Sequence, residues 1–96
     1  SRRDVEAQIH LLWKKVESLQ VRVGRLEVRV LPNLDTNQRL SMKAYRAGEI
    51  GLPQLLLVSR QMVDARRDLD EARTELRLAV IDLEASAGWS SSGTRP

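Results

Sequence analysis

Cysteine and phenylalanine are both absent from this 96-residue chain, and histidine occurs once. Without thiols there is no disulfide and no thiolate metal centre. His10 has Trp13 three residues on and Lys14 four residues on, so no second metal ligand lies at helical spacing. Trp13, Tyr45 and Trp89 are the aromatics, too few for a globular core but normal for Leu/Val/Ala packing between helices. No apolar run approaches the length of a membrane span, and no apolar segment of a secretion signal follows Ser1-Arg2-Arg3-Asp4. A chain this small and free of disulfide and metal has association as its remaining stabiliser. An oligomer, or a piece of a larger assembly, is the expectation.

Reactive constellations are missing too. No serine or threonine is placed with a histidine and an acid, and Gly48 and Gly51 lack the third glycine or the Lys-Ser/Thr of a phosphate-binding loop. The chain is read as a non-enzyme with no cofactor, no metal and no catalytic residue.

Apolar residues in the first half follow a strict rhythm. Val5, Ile9, Leu12, Val16, Leu19, Val23, Leu26 and Val30 are separated by alternating steps of four and three, the spacing of a coiled-coil seam. Asp4 is read as the N-cap of this helix. Pro32 interrupts the pattern, since it removes a helical hydrogen bond and crowds the preceding turn. Periodicity resumes weakly through Leu34, Leu40, Ala44 and Ala47, with Asn37 at a seam position. One helix over 4–47, kinked near 32, is favoured, with a true break at Pro32 as the alternative.

Gly48 can close a helix in the left-handed conformation, and Pro53 fits the first turn of the next helix. A tip over 48–52 therefore reverses the chain and makes the helices antiparallel. The second helix is expected over 53–87, with Leu55, Val58, Met62, Ala65, Leu69, Ala72, Leu76, Ala79 and Leu83 at its seam. One of its seam rows is Leu/Met and the other mostly Ala, which lets helix axes approach closely. Ala87-Gly88 is expected to end it, leaving residues 89–96 as a flexible tail. The fold class is all-α, a long antiparallel two-helix coiled-coil hairpin over residues 1–88.

Charge fits that arrangement. Residues 1–48 hold ten Lys/Arg and five acids, while residues 49–96 hold six and eight. The +5 and −2 sum to the net +3, and helices of opposite sign suit each other as neighbours. Asp64, Asp68, Asp70, Glu71 and Glu75 alternate with arginines at i,i+4 spacing, the pattern of a solvated helix face rather than a cation site. Arg22, Arg25 and Arg29 likewise read as a solvent face. Nucleic acid is not the expected partner, because no aromatics are interleaved with the basic residues for stacking. Leu11, Val21, Val28, Val63, Leu78 and Ile81 lie off the seam, and Leu55-Leu56-Leu57-Val58 is apolar all round. Apolar groups on more than one side imply more than one neighbour.

Leu31-Pro32, Tyr45-Arg46-Ala47-Gly48-Glu49-Ile50, Leu55-Leu56, Ala65-Arg66, Leu83-Glu84 and Ala87-Gly88 occur in that order. This run resembles the C-terminal helical hairpin of TolC-type outer-membrane efflux proteins, and within them the heavy-metal and cation (CzcC/CusC-like) branch. The resemblance covers nearly all of residues 26–88. It implies a longer protein, trimeric, in which each subunit gives two such hairpins to a periplasmic α-barrel continued by β-strands across the outer membrane. This chain would be the second hairpin, with the membrane-crossing strands outside it. The resemblance further implies that the tip, Ala47, Gly48 and Glu49 flanked by Ile50, Gly51 and Leu52, meets the hairpin of an adaptor (membrane fusion) protein that links the channel to an inner-membrane pump. TolC itself carries aspartates just after the turn, at the channel entrance. Here those positions are Gln54 and Leu57, which implies an entrance without that carboxylate ring. Tyr45 matches the family tyrosine near the entrance.

The functional expectation is thus a bacterial outer-membrane and periplasmic one: a passive export duct segment, this part periplasmic. It self-associates, as a trimer in the whole protein and as a dimer forming a four-helix bundle when isolated. The heptads alone equally support a free-standing helical-hairpin scaffold, and a nucleic-acid-binding coiled-coil arm is the more distant alternative.

Overall fold

The computed structural model describes residues 2–92. Helix α1 spans Arg2–Arg25, a π-helical turn spans Leu26–Val30, α2 spans Leu31–Arg46 and α3 spans Leu52–Ser92. No strand occurs among the described residues, and the fold is an all-α antiparallel two-helix hairpin. Asp4 lies inside the first turn of α1 rather than capping it, where its charge still suits the helix N-terminus. Helix α3 continues through Gly88 to Ser92, because nothing there demands a left-handed residue and the next proline is Pro96. Of the tail expected over 89–96, residues 93–96 lie outside the described residues.

The hairpin consists of two compact units. The first combines the described residues up to Arg22 with those from Ala72 onward. Val16, Leu19 and Ala79 form its core, and Leu76, Val80 and Leu83 pack against them. Ala72 and Ala79, from the small seam row, are fully buried. Toward Val5 the seam loosens. Ile9 and Leu12 are half-buried, Val5 is exposed, and Val5, Gln8, Ala85 and Ser86 line an open groove.

The second unit, Val23–Glu71, contains the turn. Val23 and Leu26 are buried on its first arm, and Leu55, Met62, Ala65 and Leu69 on its second. Helix α2 contributes no buried residue. Leu31, Leu34, Asp35, Gln38, Ser41 and Ala44 are half-buried, so the core of this unit is carried largely by α3.

Pro32 does not break the helix. Arg25, Val30 and Leu31 all keep right-handed helical dihedrals. Proline has no N–H to give the Val28 carbonyl, and its ring crowds that oxygen. The turn just before it widens instead, and the Leu31 N–H donates to the Leu26 carbonyl five residues back. Downstream, the Thr36 hydroxyl donates to the Pro32 carbonyl at 3.1 Å, and Asp35 pairs with Arg39.

That wider turn holds one more residue than an α-turn and shifts the seam by one. The heptad rhythm predicts Asn37, Leu40 and Ala47 facing α3, but all three are exposed, Leu40 to 59%. Gln38 and Ser41 are half-buried in their place. The heptad extrapolation fails here because it assumes a uniform helix across Pro32.

Candidate functional site at the interhelical turn

The turn is built by one glycine and closed by three backbone hydrogen bonds. Gly48 has φ +76°, the single positive φ among the described residues. The Ala47 N–H donates to the Lys43 carbonyl at 3.0 Å, Gly48 to Tyr45 at 3.0 Å, and Glu49 to Ala44 at 2.8 Å. The last two are the paired bonds of a Schellman C-cap, which satisfy carbonyls that the end of α2 would leave free. Lys43 and Arg46 add positive charge in the last turn, opposite the partial negative charge of the helix end.

Helix α3 starts by a different device. Its first turn contains Pro53, whose missing N–H would have no helical partner there. The Gln54 side-chain oxygen accepts the Gly51 N–H at 3.2 Å, and the Leu55 N–H donates to the Gly51 carbonyl at 3.3 Å. Gln54 thus supplies the returning half of a capping box, with glycine in the capping position. Sequence reading places Gln54 at an entrance and misses this role; a Gln three residues after a helix-initiating glycine is the available signal. Gln54→Ala should lower stability by about 0.5–1 kcal/mol, read as a lower thermal midpoint. An unchanged midpoint would contradict the cap.

All six expected tip residues lie on this turn. Ala47, Gly48, Glu49, Gly51 and Leu52 are exposed, and Ile50 is half-buried. Nothing lies within 4 Å of a Cβ built on Gly48, so the space above it is open. At Gly51 a Cβ would meet only the Pro53 ring, at an ordinary 3.5 Å. Of the entrance residues, Tyr45 is 39% exposed and Leu57 60%, and Gln54 is exposed while bonded to Gly51. Leu55 alone among the tip leucines is buried; Leu52 and Leu56 are about half exposed. The turn therefore offers backbone and aliphatic surface with one carboxylate, Glu49. On α2, Gln38, Arg39, Met42, Lys43 and Arg46 line an open depression with a basic rim.

Among the described residues no group of three or more His, Cys, Asp or Glu converges, and no helix is long and apolar enough to cross a membrane. The turn is low in bulk, with open space above Gly48 that another backbone can approach, and exposed leucines flank it. No family model matches the chain, and no curated protein or solved structure is significantly similar to it.

Proposed function

We propose that this chain is one hairpin of the periplasmic α-barrel of a TolC-type outer-membrane efflux channel, of the heavy-metal and cation branch. Its turn docks an adaptor protein, and it acts as passive wall rather than as a catalyst. The observation that carries this reading is the apolar surface left over once the hairpin seam is filled. Leu56 and Val63 follow the buried seam residues Leu55 and Met62 by one position and are 57% and 56% exposed. Leu57 and Leu78 lie two positions after Leu55 and Leu76 and are 60% and 57% exposed. These two sets fall on opposite sides of the α3 seam. A helix in a barrel wall touches a neighbour on each side and has a use for both rows; a solitary hairpin leaves them in water.

The resemblance of the ordered run from Leu31-Pro32 to Ala87-Gly88 suggests the family, and the open Gly48 turn supports docking there. In this reading Ala47, Gly48 and Glu49 meet the adaptor, and Ile50, Gly51 and Leu52 frame the contact. The hydroxyl of Tyr45 and the uncharged Gln54 and Leu57 stand toward the duct entrance. The energy for export comes from the inner-membrane pump, and no cofactor is involved.

Sedimentation of the isolated chain tests the leftover rows directly. The chain should associate at micromolar concentration. A Leu56→Gln/Val63→Gln/Leu78→Gln variant should be monomeric with its helicity retained, because each change removes apolar area that only a neighbour covers. A well-folded wild-type monomer at the same concentration would count against the barrel reading.

A further inference from the structure

We infer that α2 is a two-position rotor, and that the π turn before Pro32 sets which of its faces meets α3. This goes beyond the efflux reading and does not depend on it. The extra residue held by the π turn places Leu34, Gln38 and Ser41 toward the seam. If that residue is absorbed into a regular α-turn, the four-three rhythm running through Leu26 and Val30 places Asn33, Asn37 and Leu40 there instead. The two faces are about 100° apart on the helix, one residue of rotation.

The faces are closely matched. The present phase half-buries Leu31 and Leu34 with Asp35, Gln38 and Ser41, and the other brings Val30 and Leu40 to the seam with Asn33 and Asn37, so each face carries two aliphatic residues among polar ones. Ala44 belongs to both, being half-buried in the present phase and four residues beyond Leu40 in the other. No residue of α2 is buried, so no large side chain has to leave a packed site for the helix to turn. Pro32 favours the present phase, since absorbing the π turn puts its ring against the Val28 carbonyl. Apolar burial is close to balanced between the phases, because rotation covers Leu40, 59% exposed now, as it uncovers the half-buried Leu34. Both ends of α2 can accommodate turning: the π turn at one end, and at the other a turn whose Gly48 adopts conformations closed to other residues. Rotation also re-aims Tyr45, Lys43 and Arg46 beside the turn, so whatever docks there selects one phase.

The chain has no native thiol, which makes single introduced cysteines clean reporters. Asn37→Cys and Ser41→Cys are made separately and labelled with iodoacetamide. In the present phase residue 37 is exposed and residue 41 half-buried, so the thiol of Asn37→Cys reacts fast and that of Ser41→Cys slowly. Adding Leu34→Gln weakens the present phase. The rotor predicts that the thiol at position 41 then reacts about threefold faster and the thiol at position 37 about threefold slower, as a roughly tenfold shift in a near-balanced equilibrium from losing one half-buried leucine requires. Opposite changes are the signature of rotation. Faster labelling at both positions would mean fraying and would overturn the proposal, as would no change at either.

Deleting Val28 together with Pro32→Ala, which removes the ring clash with the carbonyl four residues back, supplies a second arm that survives if Leu34→Gln unfolds the unit. With one residue fewer, an unbroken α-helix already carries Leu34, Gln38 and Ser41 to the seam, and the other phase loses its register. The thiol of Ser41→Cys should then label more slowly than in the full-length chain, while circular dichroism stays helical. Equal or faster rates with helicity retained would overturn the rotor.

Discussion

Leu19→Ala is expected to lower the stability of the hairpin by about 2–5 kcal/mol, a large share of what a two-helix structure has. Leu19 is 6% exposed and sits with Val16 and Ala79 in the core of its unit, with Leu76, Val80 and Leu83 packed around them. Truncation removes buried methyl groups and leaves a cavity. Ala79 opposite is too small to fill it, and Val16 is already 2% exposed with no room to rearrange. Leu11→Ala is the contrast. Leu11 is 68% exposed, so its loss should change stability by less than about 0.5 kcal/mol in the dissociated chain. Urea unfolding of both variants at a concentration that suppresses association checks the pair. Equal costs would mean that the buried seam does not hold the arms together.

The second large effect falls on the turn. Gly48 holds φ +76°, where a side chain crowds its own backbone. Gly48→Val should cost more than the roughly 1–2 kcal/mol typical of non-glycine residues there, because branching at Cβ worsens that crowding. Gly48→Asn should be nearly neutral, since asparagine tolerates this region. Gly48→Arg separates fold from docking. It takes on the same left-handed backbone cost of about 1–2 kcal/mol. Nothing lies within 4 Å of the Cβ position, however, so its side chain meets open space and the helices are kept at reduced stability. The same space is where an adaptor hairpin would approach in the proposed assembly, and crosslinking to the adaptor should be lost. Undiminished crosslinking of Gly48→Arg would contradict docking at this turn. Loss of crosslinking in Gly48→Ala as well, which carries the backbone strain without the bulk, would point to strain rather than bulk.

The features that sequence reading recovers are those written in periodic or conformationally unique residues. The alternating three-and-four spacing picks out Val16, Leu19, Val23 and Leu26, and all four are buried. Gly48 and Pro53 locate the reversal because few residues can do what each does there. Leu56, Val63 and Leu78 are visible as apolar groups off the seam. Between Leu26 and Arg46 the sequence is less informative. Pro32 announces a lost hydrogen bond, but not that the turn before it widens to make a five-residue bond instead. That single extra residue turns Leu40 outward and Ser41 inward, and it lies in backbone geometry that no residue type encodes alone. The role of Gln54 is hidden for a related reason. Its partner is the backbone N–H of Gly51, and a glycine at the helix start leaves only half of the usual capping pair to be recognised.

An antibody raised against this hairpin, used to blot fractionated envelopes of the cells that make it, tests the central claim most directly. The efflux-channel reading predicts a band several-fold larger than this chain in the outer-membrane fraction. A band of the chain's own size in the soluble fraction would contradict it and leave a free-standing helical hairpin.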